Sequence, residues 1–168
     1  MFLIFEGTDL AGKSTIIKSL IEKQSRFKPF NFFNSKKTND WMKYIDVIAE
    51  TEYNVLKQIQ NNNFILDRFF VSSIIYEKVF NRKYDISYIN ENDFSDSITV
   101  FVKTPLDVLI DRSKYRNEDS KILNRLEVLL YEYENYFSTY KNKLIVIDGS
   151  LDIEDNINIL LSEIIKYE

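Results

Sequence analysis

The chain has 168 residues, a formal net charge of −4, and neither cysteine nor histidine. Without thiols or imidazoles there is no disulfide framework, zinc–thiolate centre, thiol nucleophile or histidine acid, base or ligand, so chemistry falls to carboxylates, Lys, Arg, hydroxyls and a metal. The acidic balance argues against stable nucleic-acid binding, no apolar stretch approaches a membrane span, and the length suits one domain, residues 1–168, with a substantial core.

Residues 1–5 are apolar but short and lack a basic flank, so they read as a strand rather than a leader, and the protein is expected in the cytoplasm. The predicted strand, Phe2–Phe5, runs into Gly7-Thr8-Asp9-Leu10-Ala11-Gly12-Lys13-Ser14, and Ile16, Ile17, Leu20 and Ile21 then mark a helix face. A second strand is expected at Phe30–Phe33. Helical spacing follows at Trp41, Ile45, Ile48, Val55 and Ile59, and a third strand at Phe64–Leu66. Residues 81–97 are polar and irregular, the pattern of a variable loop or small insertion. Strands are expected at Ile98–Val102 and Leu144–Ile147. Helical faces lie at Leu126, Leu130, Tyr133 and Phe137, and at Ile157, Leu160, Leu161 and Ile164. Continuous apolar strands alternating with helices predict an α/β fold with a five-stranded parallel sheet flanked by helices. Binding groups then belong beyond the carboxyl ends of the strands.

The glycine-rich segment has the form GxxxxGK[ST], a loop whose backbone N–H groups cradle phosphate oxygens. Gly7 and Gly12 let the backbone curl; Lys13 supplies a positive charge, Ser14 a hydroxyl for Mg2+, and the helix that begins there turns its positive end to the anion, with Ala11 and Thr15 in the same nucleotide-binding stretch. The chain has three glycines and two are here, so the pattern points to a nucleoside triphosphate. At the end of the third strand, Asp67-Arg68 can hold a metal with its water shell and accept a proton (Asp67), and grip a second substrate's phosphate (Arg68). The competing reading is a local ion pair that caps the next helix.

Phe5 to Thr15 resembles the phosphate loop of thymidylate kinases, and Asp67-Arg68-Phe69 with Ser72 and Tyr76 is similar to their Asp-Arg-Tyr motif and its continuation. Val100 to Pro105, followed by Arg112, looks like their fourth strand and the approach to the lid, and Leu144 to Ser150 like the last strand and adenine-side loop. The resemblance implies a nucleoside monophosphate kinase fold with a short helical lid near residues 112–120. It implies transfer of the ATP γ-phosphate, with Mg2+, to a deoxynucleoside monophosphate such as dTMP, by a protein expected to form a homodimer. Carried over by position, Lys13 and Ser14 serve ATP and magnesium, Asp67 the metal, Arg68 the acceptor phosphate, and Asp9 the acceptor's 3′-hydroxyl. Asp9 can also be read as a turn-former.

Leu10-Ala11 stand where some relatives carry a loop arginine, so the lid must deliver the positive charge. Arg112 and Arg116, spaced i,i+4, are the candidates to neutralise the transferring phosphoryl group; the competing reading is a solvated helix end answered by Glu118 and Asp119. Departures from the family are Asn34-Ser35-Lys36-Lys37 in place of an Arg-Glu-Pro-like segment, Ile75 before Tyr76, and a shorter chain. They leave the acceptor base open; Trp41, Tyr44, Phe69 and Tyr76 are aromatic candidates to stack on it or to fill the core. Ser120 to Phe137 also resembles the post-lid helix of deoxynucleoside kinases, so a nucleoside acceptor is the alternative, and a non-catalytic nucleotide-binding regulator a third. Guanine-reading NKxD is absent.

Overall fold

The computed structural model describes residues 1–30, 45–59, 63–81, 85–116 and 120–167. In chain order these form β1 (Phe2–Glu6), α1 (Lys13–Lys23), β2 (Lys28–Pro29), α2 (Ile45–Gln58), β3 (Phe64–Asp67) and α3 (Phe70–Phe80). A 3-10 turn (Glu91–Phe94) then leads to β4 (Ile98–Lys103), α4 (Leu106–Ser113), α5 (Ser120–Leu123), α6 (Leu126–Ser138), β5 (Leu144–Asp148) and α7 (Ile153–Ile165). The strands lie in the order β2-β3-β1-β4-β5 and every pairing is parallel, the expected five-stranded sheet. Parallel neighbours require crossovers, which the helices supply on both faces.

Strand alternation divides the core in two. Leu3 and Phe5 of β1, with Val100, Val102, Ile145 and Ile147, pack against Ile16, Leu20, Ile157, Leu160 and Ile164 of α1 and α7. Phe2, Ile4, Leu66 and Phe101 face the other way, onto Tyr53, Leu56, Val71, Ile75, Leu129, Tyr133 and Phe137 of α2, α3 and α6. A two-residue period on a sheet covered on both sides gives this partition directly.

Four expectations shift. The second strand is Lys28–Pro29, extended by Phe30, whose N–H donates to the Ile65 carbonyl at 2.8 Å; the rest of the expected strand, residues 31–33, lies outside the described residues, as do Trp41 and Tyr44. Among the described side chains of α2 the buried ones are Tyr53 and Leu56, whereas Ile48, Val55 and, just after the helix, Ile59 stay partly exposed. The Tyr53 ring joins Phe69, Tyr88 and Phe94, and that aromatic contact turns the helix off its expected phase. In α6, Leu129 rather than Leu130 is buried. The end of the 81–97 segment is not a surface loop: Phe94 sits among Phe2, Phe69 and Phe70, and Ser97 is buried.

Candidate active site

Register brings the chemistry to one edge. Phe5 pairs with Asp67, Glu6 with Phe101, and Lys103 with Asp148, so β1, β3, β4 and β5 deliver their following loops to the same crevice. Between β1 and α1 the chain makes the phosphate loop, with Gly7 at φ 141° and Gly12 at φ 97°. A Cβ on Gly7 would also lie 2.5 Å from the Val102 carbonyl oxygen, so no larger residue fits. Leu10 takes φ 66° and Arg68 φ 75°, left-handed conformations that cost non-glycine residues roughly 1–3 kcal/mol each and persist only where surroundings hold them.

Those surroundings are specific. The Arg112 guanidinium donates to the Leu10 carbonyl at 3.0 Å and to the Gly149 carbonyl at 2.7 Å. Thr104 Oγ1 donates to the Ala11 carbonyl at 3.0 Å. Gly149 lies so close that a Cβ there would meet Thr104 Oγ1 at 2.1 Å and the Ala11 oxygen at 2.4 Å. The loop is thus fastened from α4, β4 and the turn after β5.

Inside it, buried Lys13 donates from Nζ to the Thr8 carbonyl at 2.8 Å and the Gly7 carbonyl at 3.1 Å. Burial, with the Arg68 charge adding to it, lowers its pKa to about 7 against the opposing carboxylates of Asp67, Asp9 and Glu6. Ser14 Oγ donates to Asp67 Oδ2 at 2.6 Å. A hydroxyl and a carboxylate oxygen side by side suit Mg2+, which keeps most of its waters and takes one or two protein ligands beside phosphate oxygens. Among the described residues no group of three or more carboxylates forms a self-sufficient cage.

Arg68 and Asp67 do not pair with each other. Arg68 donates to Asp9 Oδ1 at 2.8 Å, the Gly7 carbonyl at 2.7 Å, Tyr133 Oη at 2.9 Å and Ser72 Oγ at 3.2 Å. Tyr76 donates its hydroxyl to the other Asp9 oxygen and places its ring under the guanidinium, 5.1 Å away. Burial works against ionisation of Asp9, but Arg68, the Tyr76 hydroxyl and Lys13 outweigh it and hold the carboxyl below its ordinary range. Asp9 is therefore part of a polar network rather than a turn-former alone. Tyr76 is committed to that network and Phe69 to the aromatic core.

Glu6, fully buried, receives no role from the sequence. Its carboxylate accepts from the Phe69 N–H at 2.8 Å, the Ser72 N–H at 3.3 Å and the Ser72 hydroxyl, fixing the start of α3 behind Arg68. Burial raises its pKa despite these donors. Tyr133, which in the sequence reads only as core, reaches Arg68 and Ser72 from α6. An ionisable residue closing an otherwise apolar strand is the available signal for Glu6; nothing local marks Tyr133.

Two cavities flank the loop. One of about 110 Å³ is lined by the phosphate loop from Asp9 to Thr15 with Asp67, Arg68 and Arg116. The other, about 310 Å³, lies between the loop, Arg112 and the turn after β5. Arg116 borders both. The helix bearing Arg112 ends at Ser113, so the two arginines do not share a helical face; residues 117–119 of the expected lid, with Glu118 and Asp119, lie outside the described residues.

A family model described as thymidylate kinase matches residues 34–158. A curated thymidylate kinase of Malacoplasma penetrans (strain HF-2) is 24% identical, covering 99% of this chain and 89% of its own length. The structure of deoxyadenosine kinase from M. mycoides with bound dATP superposes with TM-score 0.70 at 22% identity over 98% of each chain. Thymidylate kinase from Candida albicans superposes with TM-score 0.62 at 21% identity over 99% of this chain and 93% of that one. Among the described residues no helix is long and apolar enough to cross a membrane.

Proposed function

We propose that this chain, which belongs to the thymidylate kinase family and is a nucleotide kinase, transfers the γ-phosphate of ATP to the 5′-phosphate of a deoxynucleoside monophosphate, dTMP or a close relative. The observation that carries the reading is the Asp9–Arg68 pair at 2.8 Å, braced by Tyr76, Tyr133 and Ser72 beside the phosphate loop. A guanidinium next to a carboxylate offers a monophosphate its bidentate grip and the sugar's 3′-hydroxyl an acceptor. A nucleoside would bring the guanidinium no anion beyond Asp9.

Lys13 turns from the Gly7 and Thr8 carbonyls to the triphosphate, and Ser14 and Asp67 would hold Mg2+. The ion supplies charge neutralisation on the phosphate oxygens. Arg68 and Asp9 align the acceptor, and Arg116, at the border of both cavities, neutralises charge on the moving phosphoryl group. Arg112 serves by holding the loop and the 149 turn in place, a positioning role.

The second reading, phosphorylation of a deoxynucleoside 5′-hydroxyl, draws support from the higher TM-score to the deoxyadenosine kinase, 0.70 against 0.62. ADP release with Mg-ATP across deoxynucleoside monophosphates and deoxynucleosides separates the two. Turnover on a monophosphate, with Arg68→Ala raising its KM while ATP affinity holds, is the expected result. Turnover on nucleosides alone would replace the monophosphate reading.

A further inference from the structure

The larger cavity has one buried polar group that the phosphate chemistry does not use. Asn156, on the first turns of α7, is 1% exposed and lines this cavity with Leu10, Leu151, Ile153 and Arg112. Its amide nitrogen donates to the Asp148 carbonyl at 2.8 Å and the Leu151 carbonyl at 3.4 Å. Two carbonyls on that side fix the orientation of the amide, because a flipped group would set oxygen against oxygen. The side-chain oxygen is left over, covered and without a hydrogen-bond donor. Buried polar atoms are nearly always paired, so an acceptor left over on a residue of the cavity wall is open to a donor on whatever occupies the cavity once the turn parts.

Apolar side chains on the walls and a volume of about 310 Å³ suit a planar base rather than phosphates. We infer that Asn156 is a specificity-determining residue for the phosphate donor: its side-chain oxygen accepts from the exocyclic amine of a 6-aminopurine. The oxygen is covered here, so contact requires a slight parting of the turn between Asp148 and Ile153. A 6-oxopurine presents an acceptor at the same place and meets oxygen with oxygen, and a purine bare at C6 leaves the amide as it is. This inference rests on the reading of the cavity as the site of the donor's base.

Equilibrium binding with Mg2+ to the full chain, comparing ATP, inosine triphosphate and the triphosphate of unsubstituted purine riboside, tests it. ATP is expected to bind about tenfold tighter than the unsubstituted analogue, and inosine triphosphate weakest. In Asn156→Leu, ATP should weaken while the analogue changes little, bringing their ratio close to one. Equal binding of ATP and the analogue to the unaltered protein would overturn the inference alone, and that comparison stands even if the variant does not fold. An equal loss for both ligands in Asn156→Leu would overturn it too, since it would leave Asn156 only the task of pinning the turn. Failure of every nucleoside triphosphate to bind would overturn the donor-site reading and the inference with it.

Discussion

Lys13 combines a charge the proposed reaction needs with a setting that suppresses it. In the free protein burial lowers its pKa to about 7, and a bound triphosphate adds negative charge that raises it again. Above pH 7 binding therefore takes up a proton, and ATP affinity should decline as pH rises, by at most about tenfold per unit. Calorimetry at pH 8 in buffers of different ionisation enthalpy reads that uptake; a binding enthalpy independent of buffer contradicts the prediction. Glu6 poses the opposite problem. Its folded pKa lies above the unfolded value, so the native carboxyl keeps a proton that the unfolded chain releases. Its contribution to stability is full below the unfolded pKa and is lost as pH rises through the folded one. Glu6→Gln keeps an acceptor for the Phe69 and Ser72 N–H groups and should cost under about 1 kcal/mol. Glu6→Ala strands them in the interior and should cost about 3 kcal/mol in urea unfolding, and similar values for the two variants would refute this account. The sequence displays Lys13, Ser14, Asp67, Arg68 and Asp9 because loop spacing and strand ends are local patterns. It hides the Arg68–Tyr133 contact, which joins positions 65 residues apart across the sheet through a side chain at ordinary helical spacing.

The turn after β5 joins both parts of the proposed donor site. Asn156 holds it from below through the Asp148 and Leu151 carbonyls, Arg112 takes its Gly149 carbonyl, and Gly149 lies against the loop at Ala11. Gly149→Ala places a methyl against a hydroxyl and a carbonyl at distances atoms do not adopt, so the turn or the loop must move. We expect ATP affinity to fall at least tenfold and stability by about 2 kcal/mol. A variant with normal ATP binding and an unchanged melting temperature would show that the turn yields freely. Among the helices, α1 and α7 are legible because their apolar spacing faces aliphatic side chains, whereas α2 is misphased because an aromatic cluster from distant segments sets its rotation. Helix α4 shows a different limit: periodicity carries Arg112 and Arg116 on one face, but the chain leaves the helix at Ser113.

Across the whole molecule, the sheet is readable from the alternation of apolar runs and helices, since the β-α-β rhythm restricts topology to few arrangements. Strand ends are less so. Phe30 to Phe33 reads as the strongest part of the second strand, yet the described pairing begins at Lys28, where β2 meets β3. Central β1 pairs on both sides and is buried throughout, while edge strand β2 contributes two exposed residues. Hydrogen exchange should follow this order, with β1 and β4 amides slowest and that of Lys28, the one amide hydrogen β2 carries, among the first to exchange. Uniform protection across the five strands would contradict a centre-to-edge gradient.

The chain has three glycines: Gly7 and Gly12 belong to the phosphate loop, and Gly149 lies against that loop at Ala11. Every other turn is made by residues with side chains, as at Asn81, which takes φ 49° at the end of α3. Evolutionary change is therefore unevenly open to this protein. The proposed acceptor side presents the side chains of Asp9, Arg68, Tyr76 and Tyr133, so single substitutions there can redirect it towards another base or sugar. On the proposed donor side the phosphate cradle depends on backbone shape, and a Cβ at Gly7 or Gly149 has no room. Acceptor preference is thus the easier property to change, and the phosphate cradle the harder.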